Sequence, residues 1–348
     1  MQTTAPSFKQ LQGTLRQRVP FLYGLLRQGR HRMHWWAKMR YYLHDMKHAV
    51  SHMFWDQRVN TYEKLSAELI FQFHKLEKGL CMPGKPRFFG RDPVMATCRL
   101  VERWKAQGFA QNDPVFVGAI ETLRAYRTRL GDTPPPAADA GPIFEALERA
   151  LMSVPPQPEF ATPRPYRQTD AEVSAMFDQL CQDRRSVRAF DSRVVPLPVL
   201  EGAIQAAQLS PSACNRQPCR VHVYRDRERI DSLLKLQNGN AGFGHMLNTL
   251  LVIAADGNSF FDASERNEPY VDGGLFSMSL ILALQARGVA TCCLNWCVSP
   301  ATDLEAHRRG DIPAHHKIIM YLAVGYPLEG ALAPKSARRP TDSIVRIH

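Results

Sequence analysis

The chain has 348 residues, of which 45% are hydrophobic and 9% aromatic, so it is long enough for one well-formed domain and a second unit. Its net charge of +11 is uneven, because residues 1–55 hold nine Lys and Arg against one acid and the rest carries only +3. Over most of the chain this composition excludes a polyanion-binding surface. Without a recognised motif it predicts no nucleic-acid partner.

The cysteine pattern indicates reduced thiols. The eight cysteines include no C-x-x-C pair and show no regular spacing, which favours a cytoplasmic protein over a disulfide framework. Cys292, Cys293 and Cys297 with His307 could suggest a metal site, but adjacent residues of a strand point to opposite faces, so we predict none. We also expect no signal peptide, because residues 1–20 lack an apolar core segment, and no membrane span.

Residues 21–56 alternate aromatic and basic side chains. Trp35, Met39, Tyr42 and Met46 recur every three or four residues, which predicts a helix with one aromatic face. Such a helix could dock peripherally on the anionic inner face of a membrane. It could instead pack on its own catalytic half or on a partner subunit, and we favour this second interpretation.

The same segment carries three histidines at four-residue spacing. His44, His48 and His52 could form a metal-binding stripe. Because no acidic partner accompanies them in the sequence, we interpret them as a solvated helix face and predict no metal site.

The following segments predict a mostly helical extension. Helices are expected at 59–78, with Gly79 as C-cap, and at 93–107, 113–130 and 143–152. The Pro/Ala-rich residues 131–142 are expected to be a linker, and a second Pro-rich stretch covers 155–165. We therefore divide the chain into an extension, residues 1–168, and a second domain, residues 169–348.

The second domain is predicted to mix helices and strands. Helices are expected at 170–183, 196–208, 226–236 and 272–287, and strands at 220–225, 249–255 and 317–324. The last two strands are apolar with little alternation, which indicates a central sheet covered on both faces. The fold class is therefore α+β. No G-x-G-x-x-G follows a strand, so a dinucleotide-binding Rossmann unit is unsupported.

Two short segments of this domain suggest a cofactor site. Arg184, Arg185, Ser186 and Arg188 place three guanidiniums and a hydroxyl within five residues, a set that can bind a phosphate. The small and polar residues of 210–218 allow a flat ring to lie close to the backbone. The first segment alone would indicate only a solvated basic run, but the pair predicts a phosphorylated planar cofactor.

The paired segments, in their order, resemble the nitroreductase family. Two further motifs follow in that family's order: Gly288 to Cys292, where the family reads Gly-Leu-Gly-Thr-Cys, and Gly325 to Pro327 after a strand. The basic tail 334–340 is also similar. The resemblance covers about residues 171–348 and implies a central mixed sheet covered by helices.

This resemblance also implies that the cofactor is FMN and that the electron donor is NAD(P)H. It further implies a homodimer whose two active sites lie at the subunit interface. Arg184, Arg185, Ser186 and Arg188 would contact the FMN phosphate and the pyrimidine edge of the ring, and Arg188 would act in catalysis by favouring the reduced cofactor. Pro211, Ser212 and Asn215 would reach the flavin of the other subunit.

Further residues are assigned by the same resemblance. Cys293 and Asn295 lie where the family places N–H groups near flavin N5, and Asn295 is the expected N5 donor and second catalytic residue. Asn240, or else Gln237, would contact the pyrimidine. Lys335 and Arg338 would complete the phosphate site if the tail folds back, and would otherwise be solvated. Trp296 departs from the family's Gly-Gly and either narrows the space over the ring or packs in the core.

The resulting hypothesis is an FMN-dependent oxidoreductase of ping-pong type, which passes hydride from NAD(P)H to a small-molecule electron acceptor. A sub-group is suggested by residues 73–80, which resemble nitroreductase-like proteins encoded with bacterial polysaccharide biosynthesis genes. The alternative is therefore a non-catalytic, scaffold component of a membrane-associated polysaccharide assembly, held peripherally by residues 21–56.

Overall fold

The computed structural model describes Trp36 and residues 38–56 and 60–348. Helices dominate the first half of the chain. They are α1 (residues 38–52), α2 (Tyr62–Leu80), α3 (Arg91–Ala106), α4 (Pro114–Asp132) and α5 (Ala137–Leu151).

The second half mixes helices with one four-stranded sheet. Its helices are α6 (Ala171–Asp183), α7 (Leu197–Ala207), α8 (Arg227–Leu234), α9 (Glu268–Gln285) and α10 (Pro300–Gly310). Its strands are β1 (Cys219–Tyr224), β2 (Thr249–Asp256), β3 (Ala290–Asn295) and β4 (His316–Gly325). The order in the sheet is β1-β2-β4-β3, and each of these pairs is antiparallel.

The sheet is central because its two inner strands are apolar on both faces. Every residue of β2 is buried, and apolar clusters lie on either side of the sheet. Phe276, Leu280 and Leu284 of α9 cover one of these faces. The α+β prediction is confirmed. A parallel bridge joins Ser186, which lies outside the four strands, to Thr291 of β3.

The helices α2 to α5 enclose a separate apolar core around Trp104 and Tyr126. The prediction of a linker over 131–142 was wrong except at residues 133–136, since α4 reaches Asp132 and α5 begins at Ala137 and contains Pro142. Burial of Ile143, Leu147 and Ala150 stabilises this helix despite the backbone hydrogen bond that proline cannot make.

Gly79 is not a helix cap, contrary to the prediction. The helix α2 continues to Leu80, and Cys81 follows as its C-cap. A Cβ on Gly79 would lie 2.0 Å from the ring of Phe89, so glycine is required here for close packing of that ring.

The helix α1 packs on the second half of the chain. His44 Nε2 lies 2.9 Å from Asp303 Oδ2, and Lys317 Nζ donates to Asp45 at 2.5 Å. The prediction of a solvated histidine face was therefore wrong, because acidic partners come from distant parts of the chain.

The opposite face of α1 is apolar and exposed. It includes Tyr42, Leu43, Met46 and Val50, and Trp36, just before residues 38–52, is exposed as well. Trp35 of the predicted aromatic face lies outside the described residues. Among the helices of the described ranges, none combines the length and apolar character required to cross a bilayer.

Candidate functional site

The Arg184 to Arg188 segment lies against the edge strand β3. Helix α6 ends at Asp183, and Arg184 is already extended. The backbone N–H of Val187 donates to the carbonyl of Thr291 at 3.0 Å, next to the Ser186–Thr291 bridge. The structure thus joins the basic segment to the strand that contains Cys293 and Asn295.

Alternation along β3 divides its residues between the core and the exposed face. Cys292 and Leu294 are buried in the apolar core, whereas Cys293 and Asn295 are exposed. The two adjacent cysteines therefore point to opposite faces, as predicted. Although Cys293 is exposed as a residue, the protein atoms around its thiol partly desolvate it and raise its pKa, and the nearby charge of Arg184 opposes this shift.

The guanidiniums of the basic segment have no acidic partner in the described part of the chain. Arg185 Nη1 donates to the carbonyl of Arg184 at 2.7 Å. Arg188 is exposed and lines an open groove of about 580 Å³ with residues 241–243 and 328–332. Arg184 and Arg185 do not line this groove, and Glu329 does. Guanidiniums without an acidic partner in the described chain suit an anionic ligand.

An amide network connects the loop after α8 to β3. The Gln237 side chain is buried, and its Nε2 donates to the Asn295 carbonyl at 3.1 Å. The Asn240 Nδ2 donates to the carbonyls of Leu234 and Gln237 at 2.8 and 2.5 Å. Both predicted amides thus lie near Asn295, but the amide nitrogen of Asn240 is used in holding its own loop.

The loop 210–218 has a strained backbone. Cys214, Asn215 and Gln217 adopt φ values of 50°, 56° and 53°, which side-chain-bearing residues rarely do. Such conformations cluster at ligand-binding sites, where surrounding contacts maintain them. Here the Ala213 N–H donates to both carboxylate oxygens of Asp272 at 3.1 Å, and Ser210 bonds Ser279 at 2.7 Å.

Arg216 anchors this loop from within. Its side chain is 1% exposed, and its Nη1 and Nη2 donate to the two carboxylate oxygens of Glu265 at 2.9 and 2.5 Å. The guanidinium also lies 5.6 Å from the ring centroid of Phe71 in α2 and 5.8 Å from that of Trp55. The helical extension therefore contacts the strained loop through this arginine.

A cavity of about 370 Å³ lies between the extension and the same loop. The extension contributes Tyr62 and Asp113, and the loop contributes Pro211 and Ser212. Burial and the adjacent Asp113 carboxylate raise the pKa of Tyr62 to about 12, so its hydroxyl remains a donor at neutral pH.

Asp272, which supports the loop, predicts a pH dependence of stability. Burial raises its pKa from 3.8 to about 6, although the hydrogen bond from Ala213 lowers it. The folded state therefore binds this proton more tightly than the unfolded state does. Protonation of Asp272 contributes to stability at pH 3.8 and below, and this contribution is lost as the pH rises from 3.8 to about 6.

The substitution Asp272→Asn should remove this loss, because the amide keeps an acceptor for the Ala213 N–H without a charge. We expect a larger free energy of unfolding than that of the wild type above pH 6, and a flatter pH dependence below it, measured by denaturant titration. Glu228→Gln, at an exposed site in α8, is the control. A variant less stable than the wild type above pH 6 would contradict the assignment.

The two predicted cofactor segments lie at diagonally opposite corners of the sheet. The 210–218 loop leads into Cys219 of β1, whereas Ser186 pairs with Thr291 of β3. The register separates Cys219 from Thr291 by three strand spacings and about six residues, which is about 14 Å across and about 20 Å along the sheet. Within one chain the two segments are not brought together.

The remaining predicted residues lie outside this arrangement. In the described tail, neither Lys335 nor Arg338 has a hydrogen bond or ion pair to the Arg184 to Arg188 segment, and Arg338 bonds the carbonyl of Ser336 at 2.7 Å. The Trp296 ring stacks on Tyr321 with centroids 4.4 Å apart, and its Nε1 donates to Asp303 at 2.7 Å. Trp296 therefore packs in the core and does not stand free to narrow the space over a flavin ring.

Comparison with known proteins points to one family for the second half. The Nitroreductase family model matches residues 181–241, which include both cofactor segments. A protein of Archaeoglobus fulgidus assigned as an NADH dehydrogenase/NAD(P)H nitroreductase is 38% identical over 153 residues, 41% of this chain and 81% of the relative. Iodotyrosine deiodinase 1 of Pongo abelii is 26% identical over 204 residues, 49% of this chain and 68% of that protein.

A solved structure with a similar chain is an FMN-dependent nitroreductase of Clostridium difficile R20291. It aligns with 49% of this chain and 96% of its own length, with 18% sequence identity and a TM-score of 0.39.

Proposed function

The chain belongs to the nitroreductase family, and from this premise we propose that it is an FMN-dependent oxidoreductase. It takes reducing equivalents from NAD(P)H and delivers them to a small-molecule acceptor in a ping-pong cycle. The observation that carries the proposal is the set of unpaired guanidiniums, from Arg184, Arg185 and Arg188, beside the exposed face of β3.

The residues on this face fit FMN. Three cations without acidic partners in the described chain suit its phosphate and the electron-rich edge of its ring. Asn295 adds an amide on the exposed face of the same strand, held by the buried Gln237. When bound, FMN supplies the hydride chemistry that the side chains of the site do not provide.

The chain's own residues would bind, orient and polarise. Arg184, Arg185 and Ser186 hold the phosphate, and Arg188 places a positive charge where negative charge develops on reduction. Asn295 would donate a hydrogen bond at N5. Lys335 and Arg338 remain candidates for the phosphate of a partner's cofactor, since the tail is exposed.

A homodimer would complete the site. Because the segment with Pro211, Ser212 and Asn215 lies at the opposite corner of the sheet from Arg188, a second copy must supply it to the same ring. Apolar surface on α9 supports such an interface, since Tyr270, Val271, Leu275 and Met278 are 43–51% exposed on a helix whose other face is buried.

The dimer is tested by a charge on that surface. Leu275→Glu should convert the dimer to a monomer and lower its flavin content, because a buried unpaired carboxylate opposes association. Sedimentation velocity measures the mass. Leu304→Glu, on an exposed leucine of α10, is the matched control. A wild-type monomer, or a Leu275→Glu dimer as stable as the control, would contradict the assembly.

The helical extension has a proposed role at the same site. Phe71 and Trp55 of the extension pack against Arg216 of the strained loop, and Tyr62 and Asp113 form one wall of the 370 Å³ cavity. We propose that the extension fixes the loop and limits the size of the acceptor that reaches the partner's flavin.

Steady-state kinetics test the activity. NAD(P)H should be oxidised with double-reciprocal plots that are parallel when the acceptor concentration is varied, which is the pattern of ping-pong turnover. The relatives include an NAD(P)H nitroreductase and iodotyrosine deiodinases, so a nitroaromatic compound and an iodotyrosine are the first acceptors to compare. A flavin-loaded protein that turns over with neither nicotinamide would favour the scaffold alternative.

Peripheral membrane contact remains a second proposal, supported by the exposed apolar face of α1. Co-sedimentation with anionic vesicles tests it, since Met46→Gln with Val50→Gln should abolish binding while the buried face of α1 is kept. Equal sedimentation of the variant and the wild type would refute it.

A further inference from the structure

A cluster of histidines joins α1 to one end of the sheet. It consists of His48 and His52 of α1, His222 of β1, and His315 and His316 at the start of β4, together with Asp256 at the end of β2. The rings of His48 and His52 lie 5.0 Å apart, and those of His315 and His316 lie 4.7 Å apart. The flavin site proposed above does not use these residues.

Three of these side chains have the spacing of metal ligands. One ligand atom from each of Asp256, His315 and His316 lies within 4.8 Å of the others, and His315 Nε2 is 3.9 Å from Asp256 Oδ1. Ligands of a tetrahedral ion at its usual bond lengths lie about 3.3 Å apart. Small side-chain rotations would bring these atoms to ligand spacing, and the His315 side chain is 31% exposed.

A fourth ligand is available from α1. The His52 and His315 ring centroids are 6.3 Å apart, whereas two imidazoles on one tetrahedral ion have centroids about 5 Å apart. Beside them, His48 Nε2 is buried and has no hydrogen-bond partner within the described ranges. A buried nitrogen without a partner is costly, so this region contains more ligand capacity than its hydrogen bonds use.

The surroundings supply the outer contacts that metal ligands require. His316 Nδ1 and His222 Nε2 share a hydrogen bond of 3.0 Å, and when Nδ1 is the donor the Nε2 of His316 keeps its lone pair. Asp256 Oδ2 accepts from Arg220 at 3.2 Å and Oδ1 accepts from the Asn258 N–H at 2.9 Å, and these bonds orient the carboxylate. Oδ1, which is 3.9 Å from His315 Nε2, retains a second lone pair for an ion.

We propose that His52, Asp256, His315 and His316 bind a divalent transition-metal ion such as Zn²⁺, which fastens α1 to the sheet. Imidazole and carboxylate ligands suit this ion, and four protein ligands are typical of a structural site. The four residues come from α1, the end of β2 and the start of β4, so the ion would cross-link the extension to the second half of the chain.

The test uses the full-length protein, stripped with a chelator and then dialysed against Zn²⁺. We expect a stoichiometric amount of zinc to be retained by the wild type, measured by inductively coupled plasma mass spectrometry, and its thermal midpoint to rise. Co²⁺ should give the visible absorption of a tetrahedral site. His315→Ala should lose all three signals, whereas His245→Ala, an exposed histidine elsewhere, should keep them.

His52→Ala is the second variant, and it should lose zinc even if His315→Ala fails to fold. Circular dichroism of the metal-free proteins checks folding independently of the metal. The proposal is overturned if the wild type retains no zinc, or if His315→Ala and His52→Ala retain as much as His245→Ala. Flavin content does not enter these measurements, so the result is independent of the proposed oxidoreductase activity.

Discussion

Arg216→Met is expected to lower the free energy of unfolding by about 3–5 kcal/mol, because it leaves the Glu265 carboxylate in a nearly buried site without its bidentate partner. The loss should extend to the cofactor. Arg216 helps to maintain the strained backbone conformations of Cys214 and Asn215, so its removal should lower the flavin content as well. Denaturant titration and the flavin absorbance of the same preparations measure the two effects.

The double variant Arg216→Met with Glu265→Gln separates the charge from the packing. Removing both charges should restore most of the stability, since no unpaired buried ion remains. Flavin content should recover less, because the hydrogen bond from Arg216 Nε to the Ala213 carbonyl, at 2.8 Å, is still missing. If the single variant is as stable as the wild type, Arg216 does not anchor the loop.

Arg188→Gln is expected to weaken FMN binding about tenfold to a hundredfold. A hydrogen bond to a charged group contributes about 1.5–3 kcal/mol, and Arg188 has no acidic partner in the described chain that would offset its loss. The reduction potential of the bound flavin should also fall, because the variant lacks the positive charge that favours reduction. Fluorescence titration of the flavin-free protein gives the dissociation constant.

Arg229→Gln is the matched control for this variant, since it removes an exposed charge from the same domain at α8. It should bind FMN as the wild type does. Equal affinity of the Arg188→Gln and Arg229→Gln proteins would show that the basic segment is a solvated run and not a phosphate site.

Local patterns were sufficient for three of the four strands and most helices, whereas strand β3 and helix α10 were not among the predicted elements. Residues 249–255 and 317–324 are continuous apolar runs, and they form the two inner strands because a covered sheet needs apolar residues on both faces. Pro142 misled the prediction of a linker, since the proline rule is local and the burial of Ile143 and Leu147 is a tertiary effect. The order of the strands could not be derived from local patterns.

The candidate site was predicted only from motifs. Arg184 to Arg188 and Asn295 were assigned in this way, and the structure places the basic segment beside β3, the strand that contains Asn295. Their role in cofactor binding stays a prediction. Arg216 was missed although it lies between the motif residues Asn215 and Gln217, because its partner Glu265 is 49 residues away. His44 was read as solvated for the same reason, since Asp303 lies 259 residues away.

Two properties define the proposed activity: the chain binds FMN, and a nicotinamide reduces the bound flavin. The purified full-length protein should be yellow and release FMN on denaturation, identified by mass spectrometry. Anaerobic addition of NADH or NADPH should bleach the flavin absorption. A colourless protein that takes up no FMN on mixing would contradict the proposed FMN binding. A yellow protein that neither nicotinamide bleaches would contradict the proposed electron donor and favour the scaffold role.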